Sequence, residues 1–243
     1  MQHTLQLEPV PILEVIRKRL RKHLGPLEVT PRLDPISQLV KGILSSRTRD
    51  EVSWPTLYRL RRHFESWERV EAAAPIEIER VIEPVTFPDR KAEQIVEALK
   101  EIRARVGALT LDFLAEWPEE KAMDWLTSLT GVGPKIAASV LNFSTIGRRE
   151  FVVDTHLVRI GQRLGLVRSG AGVEGAHAAY LKLLPGAWDA ADCHEMHCLM
   201  KAFGQRACTH GEPACKGCPL RDLCRWEAAQ RKSVIPAQAG IQH

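Results

Sequence analysis

The chain has 243 residues, of which 44% are hydrophobic and 26% charged, with a formal net charge of +4. That length allows one large domain or two smaller ones with a real core. No apolar run approaches the roughly 18 residues of a membrane span, and Met1-Gln2-His3-Thr4 lacks the basic-then-apolar pattern of a signal peptide. A cytoplasmic protein is expected (nucleoid-associated in a prokaryote).

The elements follow in order. Pro9 and Pro11 suit the entry to a helix, which Ile12, Ile16, Leu20 and Leu24 continue and Gly25-Pro26 stops. Asp34 is a natural N-cap before Pro35, and Ile36, Leu39, Val40, Ile43 and Leu44 form the stripe of a helix packed on a core. The polar segment Ser45–Asp50 follows directly. Helical periodicity continues through Trp54–Phe64, Ala74–Ile82 and Arg90–Val106, then through Leu111–Trp117 and Met123–Leu129. Phe87, inside Pro84-Val85-Thr86-Phe87-Pro88, is expected in the core. Further helices are expected around Ala176–Leu184 and Trp188–Phe203, and a frayed tail over 230–243. Nothing alternates at period two over a useful length, and the one strand candidate, Glu150–Val153, has no partner. The fold class expected is all-α.

Basic residues cluster at Arg17, Lys18, Arg19, Arg21 and Lys22, at Arg47 and Arg49, and at Arg59, Arg61 and Arg62. Such patches suit a polyanion, although charge alone describes solvated helix faces equally well.

Two stretches carry chemistry. In the first, Gly131-Val132-Gly133 ends one apolar helix and Pro134 opens the next. Backbone N–H groups at such a start can hold a phosphate without any side chain. Lys135 lies just inside, where the helix dipole disfavours a cation and favours the neutral amine that a nucleophile needs. The bland reading is a turn between packed helices with an exposed lysine. In the second stretch, Asp154 precedes Thr155 as an N-cap. Its carboxylate could also stabilise a developing cation.

Four of the six cysteines, Cys208, Cys215, Cys218 and Cys224, are spaced C-x6-C-x2-C-x5-C. In a chain with no export signal, four thiolates so close together point to a metal centre or a cubane cluster. Lys216, Arg221 and Arg225 lie where a negative cluster would welcome them. Cys193 and Cys198, with His194 and His197, read as thiols on a core helix rather than a zinc site.

With these residues in view, the chain resembles the endonuclease III-like branch of the helix-hairpin-helix DNA glycosylases, from about Leu33 to Arg225. The likeness rests on Leu129–Lys135, on Val153-Asp154-Thr155-His156, and on Asp192-Cys193-His194 leading to Gly204 and the cysteine spacing. It implies a six-helix barrel over 28–147 and a second domain of 1–27 with 148–229, with double-stranded DNA bound in a cleft between them. It also implies a monomer, and a [4Fe–4S] cluster on the four cysteines rather than zinc. Lys135 takes the position of the catalytic lysine and Asp154 that of the catalytic aspartate. Gly131, Val132, Gly133 and His156 fall among the DNA contacts. The implied activity is excision of oxidised pyrimidines by Schiff-base chemistry and β-elimination at abasic sites. Arg47 stands where the family usually has a glutamine that fills the gap left by the flipped base, and Phe87 where it often has an aliphatic wedge. The alternatives are a monofunctional, adenine-mismatch type glycosylase and a DNA-binding module without catalysis.

Overall fold

A computed structural model describes residues 10–27 and 32–226. Pro9 and the expected tail over 230–243 lie outside the described residues. Among those described, helices are joined by turns, and the one β-bridge pairs Leu33 with Ser144. The fold class is all-α. The chain divides into two compact units, one of Thr30–Val152 with Asp189–His194, the other of Met1–Val29, Val153–Trp188 and Glu195–His243.

The Thr30–Val152 unit is built on α2 (Pro35–Ser45), in which every residue from Pro35 to Leu44 is buried. A helix buried all round must be packed on several sides. Around it run α3 (Asp50–Phe64), α4 (Trp67–Ala72), α5 (Pro75–Ile82), α6 (Pro88–Val106), α7 (Glu119–Thr127) and α8 (Pro134–Phe143). Asp34 caps α2 by accepting from the Ser37 N–H at 2.8 Å, as the sequence predicts. Gly42 lets α2 and α8 approach closely: a Cβ there would lie 2.8 Å from Ile136 Cγ2. That crossing fixes the start of α8, the element that carries Lys135.

Two elements depart from the periodicity reading. Leu111–Trp117 is only a 3-10 turn over Asp112–Ala115, because Gly107 at φ 84° and Pro118 leave no room for a full helix. Helix α4, six residues long, is too short to show a period; Ser66 opens it by accepting from the Arg69 N–H.

The other unit holds α1 (Ile12–Leu24), α9 (Thr155–Leu164), α10 (Val173–Leu181), most of α11 (Ala190–Arg206) and the cysteine loop. Leu13, Ile16 and Leu20 of α1 are fully buried. Its arginines are engaged within the unit: Arg17 with Glu14 and Glu195, Arg21 with Glu195, and Arg19 with Asp222. Part of the N-terminal basic cluster is therefore a structural ion-pair network, and Lys18 and Lys22 remain exposed. Cys193 is buried, and burial pushes its thiol up to about 11; Cys198 is half-buried. Among the described residues no group of His, Cys, Asp and Glu side chains is placed to hold a single metal ion.

Candidate active site

The hairpin before α8 follows from its glycines. Gly131 has φ 77°, a left-handed conformation disfavoured for residues with a Cβ, and a Cβ there would meet the Gln94 side chain at 2.8 Å. Val132 between the glycines is 6% exposed and anchors the turn, its N–H donating to Leu129 O at 3.1 Å. Gly133 is the N-cap of α8 and offers no capping side chain. Glu101 of α6 holds the approach, accepting from the Thr130 N–H at 3.2 Å and from Thr130 Oγ1 at 2.6 Å. Lys135 follows Pro134 in the first turn of α8 and is half-buried.

A second lysine, absent from the sequence reading, belongs to the same unit. Lys91 in α6 is 3% exposed. Its ammonium donates to Leu44 O at 2.7 Å, Ser46 O at 2.8 Å and Thr48 Oγ1 at 2.8 Å. These acceptors are at the C-terminal end of α2, where a helix favours a cation. Burial and the charge of Lys135 pull the Lys91 pKa down to about 8. The sequence held a signal for it: Lys91 falls four residues before Ile95, on the buried stripe of α6.

Arg47 and Phe87 lie on the two segments beside Lys91. Both have left-handed backbones, with φ of 53° and 57°, and neither is a glycine. Thr86 ties the segments together: its N–H donates to Thr48 Oγ1 at 3.0 Å, and its hydroxyl donates to Arg47 O at 3.0 Å. Arg47 is exposed, and Phe87 is 50% exposed at the N-cap of α6. The core expectation for Phe87 is thus overturned, since a left-handed residue turning the chain into Pro88 aims its ring outward.

Asp154 is the N-cap of α9, and its Oδ1 accepts from the N–H groups of His156 at 2.8 Å and Leu157 at 3.1 Å. Burial pushes its carboxyl up, but the charges of His197, His156 and Lys201 and the Leu157 N–H outweigh that and hold it below the usual carboxylate range. It is an ionised, pre-oriented anion at neutral pH. Burial lowers the pKa of His156. Its ring packs on Gly204, where a Cβ would lie 2.8 Å from the His156 Cβ.

Two arginines one turn apart on α9 receive the cysteine loop. Arg159 donates to His156 Nδ1 at 3.0 Å, Gly204 O at 2.8 Å and Cys208 O at 3.0 Å. Arg163 donates to Cys208 Sγ at 3.1 Å and Thr209 O at 2.7 Å. Burial, and then the charges of Cys208, Cys215 and Cys224, raise the pKa of the Cys218 thiol, so those three sulfurs lie within electrostatic reach of Cys218. The loop's main cationic contacts are thus on α9 rather than only beside the cysteines.

Lys135, Gly131, Val132, Gly133, Arg47 and Phe87 fall in the Thr30–Val152 unit; Asp154, His156 and the four cysteines fall in the other.

Residues 40–185 match the family described as HhH-GPD superfamily base excision DNA repair protein. Endonuclease III of Thermotoga maritima is 29% identical over 223 residues, which cover 91% of this chain and 94% of that one. Protein ROS1C of Oryza sativa subsp. japonica is 30% identical over 178 residues, 68% of this chain but only 10% of its own length. A solved endonuclease III–DNA complex, trapped as a covalent intermediate, superposes with a TM-score of 0.73 at 25% identity, covering 90% of this chain and 97% of that one. No described helix is long and apolar enough to cross a membrane.

Proposed function

Because the chain belongs to the HhH-GPD superfamily of base excision DNA repair proteins and is an endonuclease III-like DNA glycosylase/AP lyase, we propose that it removes oxidised pyrimidines from duplex DNA through Lys135 and Asp154. The observation that carries this reading is a lysine in the first turn of α8, directly after a left-handed glycine hairpin. That position disfavours an ammonium and suits an amine nucleophile.

In this mechanism the damaged base leaves the stack, and the backbone of Gly131–Gly133 grips a phosphate. The Lys135 amine forms a bond to C1′ as the C1′–N bond to the base breaks. The ionised Asp154 stabilises the cationic character that develops on the sugar. Ring opening gives a Schiff base, loss of a C2′ proton follows, and the C3′–O bond breaks, cutting the strand 3′ to the lesion. The protein acts as a monomer.

Cys208, Cys215, Cys218 and Cys224 would hold a [4Fe–4S] cluster in preference to zinc. Support comes from the all-thiol donor set, the influence of Cys208, Cys215 and Cys224 on Cys218, and the Arg163 contact to Cys208. When bound, the cluster would tie the four cysteines of this loop together and set a negative centre beside Arg163 of α9, and its visible absorbance should vanish on removing iron while the hairpin unit keeps its helical signal.

The lyase step is tested on a duplex with one abasic site. The wild-type chain should leave the unsaturated-aldehyde 3′ end of β-elimination, and Lys135→Ala should bind without cutting. Binding without cleavage by the wild type would instead favour a monofunctional glycosylase or a non-catalytic binder.

A further inference from the structure

Helix α6 meets the start of α8 along one face, on which the helical period sets Lys91, Gln94 and Glu101 together. Glu101 accepts from the Thr130 N–H and hydroxyl, and Gln94 crowds Gly131, where a Cβ would lie 2.8 Å from the Gln94 side chain. Lys91 continues that face. Helix α2 fixes the same place from another side. Gly42 packs on Ile136, the neighbour of Lys135, and the Lys91 ammonium donates to Leu44 O, just beyond Gly42, at 2.7 Å. Two helices thus bring the Lys91 ammonium to the end of α8 that carries Lys135, and the charge of Lys135 is felt at Lys91.

Two ammoniums so placed repel, and one proton leaves the pair at lower pH than it would leave an isolated lysine. The helix ends decide which lysine gives it up. Lys91 donates to Leu44 O, Ser46 O and Thr48 Oγ1 at the C-terminal end of α2, where a cation is favoured. Lys135 lies in the first turn of α8, where a cation is disfavoured. The proton is therefore lost from Lys135. Once it is gone the repulsion is relieved, and Lys91 stays an ammonium. Other charged side chains on the neighbouring elements are engaged or exposed. Lys41 of α2 lies 3.6 Å from Asp50 of α3, and Glu101 also pairs with Arg105. Arg90 and Glu97, beside Gln94 on α6, are exposed and opposite in sign. On α7, Glu119 faces Glu150, Arg148 and Arg149, Lys121 lies over Trp117, and Glu120 and Asp124 are exposed.

We propose that Lys91 is a positioning residue whose buried ammonium keeps the Lys135 amine unprotonated, and so ready to attack, at neutral pH. At 3% exposure it acts through Lys135 and not on a substrate. The use of that amine as a nucleophile rests on the lyase reading above; the pairing of the two lysines does not.

The test starts with the full chain and no DNA: brief labelling with acetic anhydride over a pH series, read lysine by lysine by peptide mass spectrometry. Only neutral amines react, so each curve, scaled to its own high-pH plateau, reports where that lysine loses its proton. At about pH 7.5 the scaled rate of Lys135 should exceed those of the exposed Lys18, Lys22 and Lys100 by about tenfold or more. Lys91→Met should reduce that advantage about tenfold, equivalent to one pKa unit, and Lys91→Arg, which keeps the charge, should retain it. On an abasic duplex, borohydride trapping of Lys91→Met should slow at about pH 7 and recover at about pH 9.5, where Lys135 is neutral without help. Equal slowing at both pH values, as a merely structural role would give, overturns the proposal. So does a Lys135 curve unmoved by Lys91→Met, or one that matches the exposed lysines in the wild type, a measurement that stands if Lys91→Met does not fold. An early-titrating Lys135 without trapping would overturn the lyase reading and leave the lysine pair standing. Trapping by a Lys135 that titrates with the exposed lysines would do the reverse.

Discussion

Helices α8 and α9 begin in opposite ways. Helix α9 obeys the local rules: Asp154 accepts two N–H groups, and its negative charge meets the positive end of the helix dipole. Helix α8 breaks them, with no capping side chain on Gly133 and a lysine in its first turn. Both starts carry side chains proposed to do chemistry, but only the second announces it. A satisfied cap explains itself and hides a second role. A cation at a helix start runs against the helix dipole, and that cost is what points to chemistry.

That contrast can be broken at either helix. Lys135→Ala should have the largest effect, reducing strand cleavage at an abasic site on the order of a thousandfold or more, because no other amine is proposed to form the Schiff base; product analysis on a denaturing gel reads it. Asp154→Asn comes next. Asparagine still caps α9, so folding should hold while excision of a damaged base slows on the order of a hundredfold. A mutant that folds and turns over normally would leave Asp154 with the cap alone.

Gly131→Ala sharpens the comparison from the backbone side. The left-handed φ and the 2.8 Å approach to Gln94 should lower stability by about 1–2 kcal/mol, and DNA affinity should fall with the distorted hairpin. The smallest effect is Asp154→Ala, which should cost about 1 kcal/mol at neutral pH through the lost cap. Because the folded-state pKa of Asp154 is depressed, its contribution is present above the unfolded pKa and is lost as pH falls through the folded value. The Tm gap between wild type and Asp154→Ala should therefore be full at neutral pH and narrow below about pH 4.

Much of this was legible in the chain. The apolar stripes of α2 and α6, the Asp34 and Asp154 caps and the glycine hairpin are local patterns, and each lies where its spacing places it. What escaped was short or non-local. Helix α4 and the 3-10 turn at Asp112–Ala115 are too brief for a period to show. The exposure of Phe87 depends on a left-handed turn that composition does not reveal. Lys91 depends on carbonyls more than forty residues away, although its place on an apolar stripe was a clue. Arg159 and Arg163 gain their role only from the cysteine loop that rests on them, some forty-five residues further along the chain.

The most direct test of the division of labour between the two helix starts is borohydride trapping of wild type, Lys135→Ala and Asp154→Asn on two duplexes, one with thymine glycol and one with a preformed abasic site. The wild type should be trapped on both duplexes and Lys135→Ala on neither. Asp154→Asn should be trapped on the abasic duplex, where the base is already gone, and only weakly on thymine glycol. A covalent adduct that survives in Lys135→Ala, or one lost equally on both duplexes in Asp154→Asn, would contradict the account.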